Sequence, residues 1–160
     1  MLSICLITMT TFAFIAICFT LLSENFLLIK IGFVLNYFIF IISYVYTVLR
    51  NPGIPNKKYY MENFRNKKIS DKKNWKKCSK CNILIPKELK VVHCTICEVC
   101  VREQDHHCPW TGKCIGKYNL VSFYVFVNSL LVFLIMIFIT LYGYMFYLST
   151  KRKSKFRNKK

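Results

Sequence analysis

Asp105-His106-His107-Cys108 places a carboxylate, two imidazoles and a thiol within four consecutive residues. A thiol beside an imidazole that can take its proton is an arrangement for nucleophilic catalysis, because the thiolate is the reactive form. A neighbouring carboxylate can fix the imidazole tautomer and stabilise the imidazolium that forms. The same spacing also suits Cys108 as a metal ligand, so at this point both hypotheses stand.

The surrounding window is rich in further thiols and imidazoles. Seven of the nine Cys and all three His fall between Cys78 and Cys114, with repeated Cys-x2-Cys spacing and no internal repeat apparent. A Cys-x2-Cys pair, which we call a clip, is typical of zinc sites, in which four nitrogen or sulfur ligands surround the ion as a tetrahedron. The ten candidates are two more than two closed sites require. We therefore predict two structural zinc ions and two side chains left over for chemistry.

The polar loop that carries these residues needs the metal for a physical reason. It runs from Arg50 to Leu120, contains 16 Lys/Arg and 6 Asp/Glu, and has few aliphatic residues with which to build a core. Zinc binding would supply folding free energy that burial alone cannot. A disulfide framework is disfavoured, because we expect this loop to lie in the reducing cytosol.

Three uncharged apolar stretches flank the loop: Ile4–Leu22 and Ile31–Leu49, of 19 residues each, and Val121–Leu148, of 28 residues. About 20 apolar residues span a bilayer as a helix, so we predict three spans, the third one tilted or projecting into the interface. The first stretch is predicted to be a retained span, because it lacks a basic leader and a clear small-residue cleavage site. The predicted fold class is an all-α multi-pass membrane protein with a small, zinc-stabilised, loop-rich cytosolic domain.

Charge placement predicts the orientation. The chain has a formal charge of +17 although 54% of its residues are hydrophobic. Excess Lys and Arg mark the cytosolic side of a membrane protein, so we expect the loop to be cytosolic and to attract anionic lipid. Residues 151–160 contain seven Lys/Arg, which three spans would place on the opposite side; the conflict predicts a fourth span. Nucleic acid is not predicted as a partner, because the charge lies beside membrane spans without a nucleic-acid-binding motif.

These patterns divide the chain into five segments. The predicted segments are 1–49 with two transmembrane helices (4–22 and 31–49), a basic cytosolic linker 50–75, a Cys-rich zinc domain 76–126, a third transmembrane helix 121–148 and a basic tail 149–160.

The sequence also resembles a known family. Asp-His-His-Cys-Pro-Trp at 105–110, followed by Cys-Ile-Gly-x-x-Asn-x-x-x-Phe at 114–123, resembles the DHHC family of protein S-acyltransferases, or palmitoyltransferases. The resemblance covers the Cys-rich block from Lys76 to Phe126. It extends to Asn51-Pro52-Gly53, which is similar to the family's Asp-Pro-Gly motif just after the second span.

The resemblance implies two interleaved zinc sites and a separate catalytic group. In that group Asp105 orients, His106 is the base, and Cys108 is the nucleophile that carries an S-acyl intermediate. The eight implied zinc ligands are Cys78, Cys81, His93 and Cys100 for the first ion, and Cys94, Cys97, His107 and Cys114 for the second.

The implied activity is transfer of a long-chain acyl group, such as palmitoyl, from acyl-CoA to Cys108 and then to a cysteine of a membrane-associated substrate protein. The CoA phosphates need cations, for which Lys113, Lys117 and the group from Lys72 to Lys80 are candidates. Spans of 19 residues suit thinner membranes, so an endomembrane such as the ER or Golgi is expected.

The chain departs from the family pattern in three places. Pro86-Lys87-Glu88 stands where the family has Pro-x-Arg, and Lys113 stands where an Asn commonly precedes the last zinc Cys. The family typically has four spans and a later Thr-Thr-x-Glu segment, whereas three spans and no such segment are predicted in this sequence. The alternative hypothesis is therefore a catalytically dead or truncated relative that acts as a membrane-anchored zinc-binding module, against which the intact trio of Asp105, His106 and Cys108 argues.

Overall fold

The computed structural model describes residues 2–16, 27–67 and 72–157. These residues form two compact units, one from the described parts of 3–42 and 125–160 and the other from the described parts of 43–124. The helices are α1 (Leu2–Ala16), α2 (Leu27–Leu49), α3 (Lys57–Arg65) and α4 (Leu120–Arg157), and the strands are β1 (Trp75–Cys78), β2 (Ile83–Pro86), β3 (Val91–Cys94), β4 (Val99–Arg102), β5 (His106–Cys108) and β6 (Lys113–Ile115).

The first unit, which we call the helical unit, packs through aromatic side chains. The ring of Phe33 on α2 meets that of Phe133 on α4 edge to face, with centroids 5.9 Å apart. Phe14 on α1 stacks on Tyr37 of α2 at 4.6 Å. Such pairs add directionality to the burial of large apolar surfaces and fix which helix faces meet.

Two of the described helices, Leu27–Leu49 and Leu120–Lys153, are long and apolar enough to cross a membrane. Large apolar side chains such as Leu28 and Phe138 are mostly exposed on them, as expected for surfaces that face lipid. The described part of α1 is shorter, and the predicted first span, 4–22, extends into residues outside those described. The three-span count is therefore not confirmed.

The second unit, residues 43–124, which we call the Cys-rich unit, contains three antiparallel hairpins. Hairpin 1 pairs β1 with β2, hairpin 2 pairs β3 with β4, and hairpin 3 pairs β5 with β6. The all-α class is not confirmed, because this unit is built from strands. The physical reason is local, since each Cys that begins a clip ends one strand and the clip itself is the tight loop of the hairpin.

The apolar core of the Cys-rich unit is small. Ile83, Ile85, Val91 and Cys100 form its largest buried cluster, and Tyr60 from α3 packs against it. Helix α3 begins after Asn56, whose side chain accepts a hydrogen bond from the Tyr59 amide and caps the helix. The predicted linker 50–75 thus contains a helix that contributes to this core.

The segment after α2 is fixed to the hairpins by backbone contacts. Asn51 Oδ1 accepts hydrogen bonds from the amides of Gly53 and Ile54, each at 2.8 Å, and the Gly53 carbonyl accepts from the Arg102 amide at 2.9 Å. Gly116 is required by close approach, because a Cβ there would lie 2.6 Å from the Pro52 carbonyl oxygen. This packing joins the start of α4, the end of α2 and the hairpins into one unit.

Candidate active site and metal centres

Eight of the ten thiol and imidazole candidates gather into two clusters. Within each cluster one ligand atom per residue lies within 4.8 Å of the others, so each can hold a metal ion. The first cluster is Cys78, Cys81, His93 and Cys100, and the second cluster is Cys94, Cys97, His107 and Cys114.

The two clusters have matching dimensions. In the first, His93 Nδ1 lies 3.8, 3.2 and 3.9 Å from the sulfurs of Cys78, Cys81 and Cys100. In the second, His107 Nδ1 lies at the same three distances from the corresponding sulfurs, those of Cys94, Cys97 and Cys114. Ligands at zinc distances of roughly 2.0–2.3 Å in a tetrahedron are separated by about 3.5–3.8 Å, so both donor sets fit zinc.

The ionisation of the thiols also fits a cation. Burial, reinforced by the neighbouring thiols Cys81 and Cys78, raises the pKa of Cys100. Burial with Cys94 and Cys97 raises the pKa of Cys114 in the same way. Three thiolates held this close repel one another, and a divalent ion removes that cost because ligand thiols bind it in the deprotonated form.

The clusters are interleaved through the hairpins by a constant rule. Each cluster takes two ligands from the Cys-x2-Cys loop of one hairpin and two ligands from the next hairpin. In that next hairpin, one ligand directly precedes the first Cys and the other lies six residues after it. For the first cluster the next hairpin contributes His93 and Cys100 around Cys94; for the second it contributes His107 and Cys114 around Cys108. An internal repeat is therefore present, and our prediction that the sequence has none was wrong. Two hairpins share each cluster, so the repeated motif does not recur as a contiguous block.

Hairpin 3 repeats the same loop without a second thiol. In the three hairpins the first Cys pairs with the residue five positions later, as Cys78 with Ile83, Cys94 with Val99, and Cys108 with Lys113. The residue four after that Cys has a left-handed backbone in each, with φ of 49° at Asn82, 55° at Glu98 and 63° at Gly112. Where hairpins 1 and 2 carry Cys81 and Cys97, hairpin 3 carries Thr111.

Cys108 consequently lies outside both clusters, beside the other two residues of the predicted catalytic group. Cys108 is 3% exposed, and His106 Nδ1 lies 2.9 Å from Asp105 Oδ2. The His106 side chain also interacts with Cys108. Because the Asp105 carboxylate occupies Nδ1, Nε2 of His106 is the nitrogen left to exchange a proton with the thiol.

The surroundings favour a thiolate–imidazolium pair. Burial opposes ionisation of Cys108, but hydrogen bonds from the Thr111 and His106 side chains and from the Thr111 and Trp110 amides outweigh it and lower the pKa of the thiol. Burial likewise disfavours the imidazolium of His106, yet the hydrogen bonds to Asp105 and Cys108 outweigh it and raise the pKa of the ring. A thiol with a lowered pKa is more fully ionised near neutral pH and is available as a nucleophile.

Two residues of the later motif contact the segment that carries the predicted catalytic group or the strand paired with it. The ring of Phe123 meets the imidazole of His106 edge to face at 5.0 Å. Asn119 is fully buried; its Oδ1 accepts from the Gly116 amide at 2.9 Å and its Nδ2 donates to the carbonyls of Thr47 and Cys114 at 3.3 and 3.1 Å. Sequence reasoning included Asn119 only as part of a motif.

Four of the lysines that are candidates for the CoA phosphates have protein partners. The Lys117 ammonium lies 2.6 Å from Glu103 Oε1, and the Lys113 ammonium donates to the carbonyls of Val48 and Arg50. In the group from Lys72 to Lys80, the Lys72 ammonium lies over the Phe64 ring and Lys76 donates to the Val91 carbonyl. Sequence reasoning missed the hydrogen bonds of Thr111 to Cys108 and of Lys113 to the end of α2. The spacing of Thr111 from Cys108 was the one signal in the sequence, and it concerned Thr111 alone.

Comparison with known proteins gives a consistent picture. Residues 71–160 match the family described as DHHC palmitoyltransferase. The palmitoyltransferase ZDHHC9 of Homo sapiens is 46% identical over 63 residues, which are 39% of this chain and 17% of that protein. The palmitoyltransferase ZDHHC14 of Mus musculus is 44% identical over 63 residues, which are 39% of this chain and 12% of that protein. The palmitoyltransferase ZDHHC18-B of Danio rerio is 47% identical over 55 residues, which are 34% of this chain and 14% of that protein. The matched region thus spans less than a fifth of the length of each of these relatives.

Proposed function

The chain belongs to the DHHC palmitoyltransferase family, and on that premise we propose that it is a protein S-acyltransferase that uses Cys108 as its nucleophile. One observation carries the proposal. Of the seven cysteines in the Cys-rich unit, Cys108 is the one outside the two metal clusters, and it is buried beside an imidazole that a carboxylate orients.

The first half-reaction forms an acyl-enzyme. The Cys108 proton passes to His106 Nε2, and the thiolate attacks the carbonyl carbon of a long-chain acyl-CoA. The bond to the CoA sulfur breaks, and the leaving thiolate takes the proton back from His106. Asp105 keeps the ring oriented and stabilises the imidazolium through the 2.9 Å contact.

The second half-reaction returns the enzyme to its starting state. A cysteine of the substrate protein loses its proton to His106 and attacks the Cys108 thioester; Cys108 leaves as a thiolate and is reprotonated. Each half-reaction exchanges one thioester for another, so the overall free-energy change is small. The rate enhancement must come from placing thiol, base and thioester together.

The first cluster and the second cluster would each hold one structural zinc ion, the metal that their donor chemistry fits. The ions would stabilise the hairpins, whose own apolar core is small. The second cluster has the more direct link to catalysis, because its ligand His107 lies between His106 and Cys108 on β5.

We also propose that the chain is a membrane protein whose Cys-rich unit faces the cytosol of an endomembrane such as the ER or Golgi. Support comes from the two membrane-capable helices and from exposed lysines on this unit, among them Lys57, Lys58 and Lys77, which would attract anionic lipid. Trp110, Tyr118 and Tyr124 are about half exposed and suit the membrane interface. The proposed partners are acyl-CoA and membrane-associated proteins that present cytosolic cysteines.

The test is direct labelling of the full chain with an alkyne-tagged palmitoyl-CoA. A hydroxylamine-labile label on the wild type that Cys108→Ala removes is the expected result, since thioesters are cleaved by hydroxylamine. Absence of label on a chain that still binds two zinc ions would instead support the alternative, a catalytically inactive zinc-binding module.

A further inference from the structure

Lys113 reaches the last turn of α2, a turn that belongs to the Cys-rich unit. Its ammonium donates to the carbonyl oxygen of Val48 at 2.5 Å and to that of Arg50 at 2.8 Å. The final carbonyls of a helix have no partners within the helix, and they form the negative end of its dipole. A lysine on them satisfies two acceptors and places its charge where it is stabilised.

The position of Lys113 connects this contact to the nucleophile. Lys113 is the cross-strand partner of Cys108 in hairpin 3, and the equivalent positions in hairpins 1 and 2 are the aliphatic residues Ile83 and Val99. Hairpin 3 therefore differs from hairpins 1 and 2 in carrying a long, positively charged side chain opposite its first Cys. Asn119 supplies a second link to α2, through the Thr47 carbonyl at 3.3 Å.

We propose that Lys113 is a positioning residue that sets the depth of Cys108 at the membrane interface by tying hairpin 3 to the end of α2. This inference rests on the proposed acyltransferase function, because depth matters for a thiol that must meet the carbonyl of a lipid thioester. The acyl chain lies in the apolar layer and the CoA head group in water, so the reactive carbon is held at a narrow level. A shift of about 1 Å in a reacting group can reduce a rate roughly 100-fold.

The competing role for Lys113 is recognition of the CoA phosphates, and the two roles predict different kinetics. Phosphate recognition acts on binding of the nucleotide donor alone. Positioning acts on any acyl thioester, because it changes where the thiol lies and not what holds the donor.

The experiment measures self-acylation by wild type and Lys113→Met with two donors, palmitoyl-CoA and S-palmitoyl-N-acetylcysteamine, which lacks the nucleotide. We expect the maximal rate to fall by about tenfold or more with both donors, with little change in KM for palmitoyl-CoA. Lys113→Arg, which keeps a cation on a long stem, should recover much of the rate. Lys87→Met, which removes an exposed charge from hairpin 1's far end, is the matched control and should behave as wild type.

A loss confined to palmitoyl-CoA, expressed as a raised KM, would overturn positioning in favour of phosphate recognition. Zinc content should stay at two ions in each variant, which excludes unfolding as the cause. If the wild type itself accepts neither donor, the proposed function fails, and a second measurement still decides the inference.

That second measurement is the depth of Trp110, one of the chain's two tryptophans and a neighbour of Cys108 in sequence. In a Trp75→Phe background reconstituted in bilayers, fluorescence quenching by lipids brominated at different depths locates Trp110. We expect Lys113→Met to shift or broaden its quenching profile, and Lys87→Met to leave the profile unchanged. An identical profile in Lys113→Met and its parent would show that Lys113 does not set the depth of hairpin 3.

Discussion

Hairpin 3 and hairpins 1 and 2 share one loop design but use their thiols differently. In hairpins 1 and 2 the first Cys has a second Cys three residues later, and the pair enters a metal cluster. In hairpin 3 the third residue after Cys108 is Thr111, and the chain continues from β6 into α4. The proposed nucleophile Cys108 therefore occupies the loop position that a cluster cysteine has in hairpins 1 and 2, but its loop carries only one sulfur.

The difference shows how one loop can serve two chemistries. Burial and two neighbouring thiols raise the pKa of Cys100 and of Cys114, so a cation is needed to keep these two thiols ionised. Loop amides lower the pKa of Cys78 and Cys94, which occupy the position of Cys108 in hairpins 1 and 2. Cys108 has the Thr111 hydroxyl, two amides and an imidazole around it, which together lower its pKa without a metal. A metal-bound thiolate is held by its ion, whereas a thiolate held by hydrogen bonds is free to attack.

The largest effect is expected from removing the proposed nucleophile. Cys108→Ser should lower self-acylation by at least about a thousandfold, because a serine hydroxyl is far less acidic than the thiol. Both zinc ions should remain, since Cys108 lies outside the clusters. Metal analysis that shows loss of zinc in Cys108→Ser would place this thiol among the ligands and remove the distinction between hairpin 3 and the other two.

The clusters themselves are tested by their histidines. His107→Ala should lose zinc from the second cluster and nearly all acylation, because the same strand carries His106 and Cys108. His93→Ala should lose one zinc from the first cluster and leave more activity, since this cluster lies in hairpins 1 and 2. Zinc per chain and labelling rate check both; equal loss of activity would show that the two clusters fold as one cooperative unit.

A third clip can be built on purpose. Thr111→Cys would give hairpin 3 the two sulfurs that its relatives have, at the same loop positions. We expect a new affinity for soft metals such as Cd²⁺, and inhibition of acylation by added Cd²⁺ that a chelator reverses. Thr111→Ser, which keeps the hydroxyl, is the control and should be insensitive. If Thr111→Cys is insensitive to Cd²⁺, two cysteines at these loop positions are not sufficient to bind a soft metal.

The smallest effect concerns ionisation. The Thr111 hydroxyl lowers the pKa of Cys108, so Thr111→Val should raise that pKa towards its usual range. The pH at which iodoacetamide alkylates half of Cys108 should then move upward, with about tenfold slower labelling below the midpoint, the scale of one hydrogen bond to a charged group. Mass spectrometry of the Cys108 peptide measures it; an unchanged midpoint would assign the lowered pKa to His106 and the amides.

Much of the metal chemistry was predictable from residue types alone. Repeated Cys-x2-Cys spacing indicates zinc because few other functions use so many soft ligands together, and the two clusters contain the predicted residues. The hairpins were not predicted, because the strands have three or four residues each, too short for an alternating pattern. The interleaving was available only through resemblance, since spacing does not say which His meets which sulfurs.

Residue types at short spacing were enough to indicate the family, the soft-metal chemistry, the apolar helices and the Asp-His-x-Cys order of the proposed catalytic group. Tertiary structure decided which thiol stays free and how it is held. Thr111 had no predicted role until its loop was seen to match the Cys-x2-Cys loops of hairpins 1 and 2, and Lys113 was one of several candidates for the CoA phosphates until its ammonium was found on the end of α2. Such contacts join residues more than 60 positions apart, and only the packing of the folded chain brings them together.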